Sequence, residues 1–180
     1  MDLPLLPRAI AGYIATVDLE TAVAALAPRL VAYATGRTGC RSTAEDIAQD
    51  ALVALVLRWR RFGPPESPDA FVFAIARRRA ARAVLRRALL TPLDFVTPAR
   101  VSGRTSDRSF EGRAALQEVV RTMRRLRAAD REVLLLRAAG ELSLEEIASV
   151  TRSSVGAVKM RLHRARERLT ELLREASDAR

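Results

Sequence analysis

Residues 143–173, SLEEIASVTRSSVGAVKMRLHRARERLTELL, decide the fold of this chain. Ser143 is a helix-capping residue, and Glu146 three positions on completes a capping box, in which each side chain satisfies a backbone N–H that the first helical turn leaves unpaired. Leu144, Ile147 and Ala148 then repeat on one helical face. The polar triplet Thr151-Arg152-Ser153 interrupts this short helix before a longer one begins. In the longer helix Val155, Val158, Leu162, Ala165, Leu169 and Leu172 form one apolar stripe. Gly156, Met160, His163, Arg164 and Glu167 point the opposite way, and Lys159, Arg161, Arg166 and Arg168 take the flanks. A buried stripe, a polar outer face and basic shoulders are what a recognition helix needs: the face reads base edges and the shoulders neutralise phosphates. An amphipathic surface helix with a solvated basic face has the same composition. The short helix and tight turn ahead of it favour a helix-turn-helix on DNA.

Length and charge agree with an anionic partner. The chain has 180 residues, enough for one sizeable domain or two small ones. Lys+Arg is 31 against 21 for Asp+Glu, a net charge of +10, and nucleic acid is the commonest anionic partner of such a chain. Lys159 is the one lysine, so arginine dominates. GC-rich coding produces the same skew, and position therefore carries more weight than total charge. Cys40 is the sole cysteine, which rules out an intramolecular disulfide and a cysteine-based zinc site. With one histidine as well, no metal site and no cofactor are expected. Cys40 reads as an inert thiol in preference to a redox sensor. The N-terminus lacks a basic leader and is broken by Pro4, Pro7 and Arg8, a poor signal peptide. No uncharged apolar run approaches the length of a bilayer span, so the expectation is a cytoplasmic protein without membrane insertion.

The pattern is all-α. Alanine, leucine and arginine dominate, and no alternating strand pattern with hairpin turns occurs. The reading divides the chain into an N-terminal extension (1–18), a helical domain (19–87), a linker (88–112) and a second helical domain (113–180) that ends in the helix-turn-helix. In the first domain, 19–37 make one or two helices, with Pro28 starting the second or kinking the first. Thr43 is expected to cap a long helix with Asp46 at the capping-box position and Ile47, Ala51, Leu55 and Trp59 inward, ending at Gly63-Pro64-Pro65. Another helix over 69–87 carries Phe71, Val72, Ile75 and Ala76 to the core. The linker gathers Pro92, Pro98, Gly103 and Gly112, which break a continuous helix. Beyond it come helices at 113–126, with Leu116, Val119, Val120 and Met123 inward, and at roughly 130–139.

Three constellations outside the helix-turn-helix bear on function. Asp46, Gln49 and Asp50 share one helical side opposite Ile47. This acidic patch in a basic chain serves either the helix N-terminus, where carboxylates are stabilising by up to about 1 kcal/mol, or a basic protein partner. The stretch 77–87, RRRAARAVLRR, has six arginines and no acid, with Arg78, Arg82 and Arg86 in one stripe beside Arg77. Like charges at that spacing repel, an arrangement that suits neutralisation by phosphates; a solvated, coding-biased face is the alternative. Trp59, Phe62, Phe71 and Phe73 surround the turn GPPESPD. Trp59 and Phe71 sit at core spacing, whereas Phe62 and Phe73 fit either burial or the stacking of unpaired bases. No Gly-rich phosphate loop, nucleophile–base pairing or carboxylate pair in an apolar setting occurs, so no catalytic residue is assigned and a non-enzyme is expected.

Together these residues resemble a bacterial RNA polymerase sigma factor of the extracytoplasmic-function (ECF) class. AEDIAQDALVALVLRWRRF with FVFAIARRRA looks like the family's region 2, and LRAADREVLLLRAAGELSLEEIASVTRSSVGAVKMRLHRARERL looks like region 4, within a match over about residues 20–173. The resemblance implies a subunit that binds core RNA polymerase and confers promoter recognition, acts as a monomer on polymerase, and is held off by an anti-sigma factor when idle. Asp46, Gln49 and Asp50 match positions that dock on the largest polymerase subunit. The turn beginning at Phe62 and the helix with Arg77, Arg78, Arg82 and Arg86 match the part that captures the melted minus-10 element. Lys159, Met160, His163 and Arg164, with Arg161 and Arg166 beside them, match the helix that contacts the minus-35 element. The family usually has Trp-Leu where Phe71-Val72 stand, Asn where Arg78 stands and often Asp where Arg82 stands, which puts the usual minus-10 specificity in question. A self-standing DNA-binding regulator is the rival reading; it leaves the acidic patch unexplained. A third is a scaffold for protein–protein control.

Overall fold

The computed structural model describes residues 18–90 and 118–178, and every regular element among them is helical. The first, α1 (Leu19–Thr38), is a single helix that runs through Pro28. A proline inside a helix costs about 3 kcal/mol, but Pro28 is exposed while Leu26, Leu30, Tyr33 and Ala34 around it are buried. Tertiary packing outweighs the lost backbone bond. Gly39 ends α1 in the left-handed region (φ 68°), donating its N–H to Thr35 O.

Only Gly39 and Cys40 separate α1 from α2 (Arg41–Phe62), so the expected cap at Thr43 is not the start of this helix. Cys40 is the extended N-cap residue and makes no side-chain cap. Thr38 holds the corner instead: its hydroxyl donates to Ala34 O at 2.8 Å and accepts from the Cys40 N–H at 3.3 Å. Ile47, Ala51 and Leu55 face inward, as their spacing predicts, and Trp59 is partly buried against the core. Gly63 terminates α2 at φ 76°, a conformation L side chains resist.

Ser67 caps α3 (Pro68–Leu90), accepting from the Ala70 N–H at 3.0 Å. This helix continues through 88–90, the first positions of the expected linker; the rest of that stretch lies outside the described residues, as do 1–17. Phe73 is fully buried, with its ring edge-on to Tyr33 (centroids 5.5 Å apart, 78° between planes). Of its two open readings, burial is the one realised.

The second half begins in helical residues 118–123 (α4), followed by α5 (Ala128–Ala138), α6 (Leu144–Thr151) and α7 (Val155–Asp178). Val133, Leu136, Leu142, Ile147, Val158, Leu162 and Leu172 form its interior. The two halves are not separate bodies. α3 packs on α6 and α1 on α5, and their buried side chains form one continuous cluster. Gly36 leaves room for Leu135 at the α1–α5 contact: a Cβ there would sit 2.5 Å from Leu135 Cδ2, and that side chain would have to shift.

Candidate nucleic-acid interface

The helix-turn-helix is built by local chemistry. The Ser143 hydroxyl accepts the Glu146 N–H at 3.1 Å, and Glu146 Oε2 accepts the Ser143 N–H at 2.8 Å. Arg152 ends α6 in the left-handed region at φ 54°. Ser154 then caps α7, accepting from the Ala157 N–H at 3.1 Å. Val158, Leu162, Ala165 and Leu172 bury the stripe of α7, with Val155 and Leu169 partly buried beside them. The opposite face is open: Lys159, Met160, His163, Arg164 and Arg166 are exposed, Met160 by 58%, and Arg161 is half-buried on the flank. A large apolar side chain in water beside arginines suits a surface that meets thymine methyls and base edges in a major groove. Glu167 lies 3.3 Å from His163 Nε2, close enough to pair with a protonated imidazole.

In the first half, α2 and α3 border a cleft of about 1030 Å³. Asp46 and Asp50 line its α2 wall, with Arg79, Arg82, Arg86 and Arg87 opposite. Asp50 is ion-paired with Arg79. Gln49 turns away from this cleft toward an apolar groove between α1 and α2 that includes Val53 and Leu57, so the three expected docking residues form a ridge between two concavities. Arg78, Arg82 and Arg86 are exposed along α3. Phe62 is 65% exposed at the end of α2, with the Arg58 and Arg61 guanidinium groups each 5.1 Å from its ring centre. Phe62 and the arginine stripe are therefore available to nucleic acid. Arg77 differs. It lies between the two halves, 3.1 Å from Glu132.

Glu132 is the residue that sequence reasoning passed over. It sits in REVLLLR on α5, is 8% exposed, and contacts two arginines of the first half. A charged residue opening an apolar run was its one local signal. Arg29 and Ser67 were also missed. Arg29 Nε donates to Gly140 O at 3.2 Å and its Nη2 lies 2.6 Å from Asp69, while Ser67 donates to Glu146 Oε1 at 2.8 Å. The Cys40 thiol is lowered to about 7 by hydrogen bonds from Ser42 and Thr43. Among the described residues no helix is long and apolar enough to cross a membrane, and no cluster of His, Cys, Asp and Glu is arranged to hold a metal.

Residues 22–89 match the family model for sigma-70 region 2, and residues 116–169 match that for sigma-70 region 4. The ECF RNA polymerase sigma factor ShbA of Streptomyces griseus subsp. griseus is 34% identical over 178 residues, covering 93% of each chain. The ECF sigma factor EcfG of Rhodopseudomonas palustris is 30% identical over 88% of this chain and 86% of its own. Two solved structures align across both halves. The sigma factor RpoE in complex with the anti-sigma factor NepR from Bartonella quintana gives a TM-score of 0.70 at 26% identity, over 87% of this chain and 97% of that one. CnrH in complex with the cytosolic domain of CnrY gives 0.64 at 25% identity, over 93% and 97%.

Proposed function

Because this chain belongs to the ECF family of RNA polymerase sigma factors, and so directs transcription initiation at promoters, we propose a division of that work among its own residues. The α7 face of Lys159, Met160, Arg161, His163, Arg164 and Arg166 reads the duplex minus-35 element. Phe62 with Arg77, Arg78, Arg82 and Arg86 holds the melted minus-10 strand. Asp46, Gln49 and Asp50 dock on core polymerase. Residues 19–87 and 113–180 are the two working domains of this division. The observation that carries the reading is the exposed face of α7, displayed beyond a capped helix-turn-helix and backed by the buried Val158, Leu162, Ala165 and Leu172.

Arg164 is the residue assigned to a bidentate guanine contact, a type worth about 1–3 kcal/mol of discrimination. The chain works by binding, with no catalytic step of its own, in the cytoplasm and as a monomer on polymerase. An anti-sigma factor would restrain it when idle; RpoE, which this chain resembles, is found in complex with the anti-sigma factor NepR.

The test is to mix the purified chain with core RNA polymerase and sequence the transcripts made from fragmented genomic DNA of its source. Discrete start sites sharing two upstream elements are expected. Duplex binding without initiation would replace this reading with a self-standing regulator.

A further inference from the structure

Among the described residues, Gly156 is the one glycine with no internal reason to be glycine. Gly39 and Gly63 stand in the left-handed region, at φ 68° and 76°. A Cβ on Gly36 would meet Leu135 at 2.5 Å, and one on Gly140 would meet Leu136 O at 2.6 Å. Gly156 lies outside the left-handed region, and a Cβ there would find no atom within 4 Å. It is exposed in the first turn of α7. Glycine loses more backbone freedom on folding than any other residue, so this position weakens the start of the helix that presents the reading face. Nothing inside the fold gains from that. What the missing side chain leaves is bare backbone on the outward face, since spacings of four and three residues put Gly156 in line with Met160 and His163.

We propose that Gly156 is where α7 comes closest to DNA, its missing side chain letting the sugar–phosphate backbone of the duplex rest against the helix backbone. This rests on the assignment of the α7 face to the minus-35 duplex made above. Glycine suits a place where a backbone must approach a ligand closely, because a Cβ would hold the two apart. The neighbours fit such an approach. The exposed Lys159 and Met160 follow within one turn. The Ser154 hydroxyl accepts the Ala157 N–H at 3.1 Å, which fixes this turn and leaves Gly156 uncovered. The Gly156 N–H makes no hydrogen bond to the described residues. At close approach it would reach a phosphate oxygen, a contact of the kind that sets a helix's register on duplex DNA and carries no sequence information itself. Gly156 is accordingly a positioning residue: it sets how deeply Met160, His163 and Arg164 enter the groove.

Gly156→Ala separates fold from function, because the two respond with opposite signs. Alanine is the better helix former, so the free chain should unfold about 1–4 °C higher. Assembled with core polymerase, the same variant should bind a labelled promoter duplex about tenfold more weakly by fluorescence anisotropy, the penalty of forcing one methyl group into a close contact. The duplex is a promoter from which the parent chain initiates, beside a second copy with its minus-35 element scrambled. On the scrambled copy, parent and variant should bind equally. Affinity for core polymerase should be unchanged.

Gly156→Arg sets contact against charge. It adds a cation to a face that meets an anion, and open space at Gly156 would turn the added charge into tighter binding. Close approach makes this variant lose at least as much as Gly156→Ala. Tighter binding by Gly156→Arg would overturn the proposal, and so would an alanine variant that binds the promoter as tightly as the parent. A lowered Tm in Gly156→Ala would give the glycine a purely structural reason and overturn it too. Lost affinity for core polymerase with DNA binding retained would put protein against this face, with the same consequence. Failure of the sigma reading would show separately, as an absence of initiation by the parent chain.

Discussion

The hydroxyl of Ser67, which caps α3, donates to the carboxylate of Glu146, which closes the capping box of α6, at 2.8 Å. Two helix starts separated by 79 positions share one hydrogen bond. Ser67→Ala removes the α3 cap and one partner of the carboxylate, with an expected loss of about 1–3 kcal/mol. Thermal unfolding followed by circular dichroism would show it as a Tm lowered by several degrees, and an unchanged Tm would contradict the linkage.

The same site makes stability depend on pH. Burial pushes the Glu146 carboxyl upward, but the Ser143 N–H, the Ser67 and Ser143 hydroxyls and the charge of Arg29 together hold it below its ordinary 4.5. A folded-state value below the unfolded one means that the ionised form stabilises the fold. That contribution is fully present above about 4.5 and is lost as pH falls through the folded value. Glu146→Gln should therefore be less stable than the parent at neutral pH, and the gap should narrow in acid. A gap independent of pH in denaturant titrations would contradict this sign.

Phe73 is fully enclosed between Tyr33 and the approach of Gly140. Truncating it to alanine is expected to cost about 3–5 kcal/mol. Both halves border the ring, so the loss should appear as one earlier transition in chemical denaturation. Two separated transitions, only one of them shifted, would show that the halves do not share this core.

Arg164→Ala should weaken transcription that depends on the minus-35 element by about 10-fold or more, the equivalent of one lost bidentate base contact. Binding to core polymerase should stay intact, because Arg164 lies on the exposed face of α7. Competition assays on promoters with and without that element separate the two effects. Equal loss of both would remove Arg164 from base recognition.

Asp46→Arg combined with Asp50→Arg should abolish binding to core polymerase and spare duplex binding by α7. The double change puts like charges opposite Arg79, the present partner of Asp50. Surface-plasmon binding to core polymerase reads the first effect and a duplex gel shift the second. Unchanged affinity for polymerase would refute docking through this ridge.

The helix-turn-helix was legible because every part of it is local. A capping box spans four residues, the α7 stripe repeats every three or four, and turn chemistry sits between them. Ile47, Ala51 and Leu55 were legible for the same reason. Local rules misplaced the start of α2, where a one-residue corner after Gly39 leaves no room for a cap at Thr43. They also left Pro28 ambiguous, because only the packing around it decides whether α1 continues.

Sequence alone determined the helical class, the amphipathic helix α7 and its outward residues, and the arginine stripe of α3. All follow from side-chain periodicity along one element. Tertiary structure decided what crosses between elements: that Phe73 is buried while Phe62 is open, that Asp50 faces Arg79, and that Arg77 is held by Glu132. Those pairings join residues 29 or more positions apart. No periodicity encodes such a distance, because helix spacing states which way a side chain points and leaves open which helix will be there to meet it.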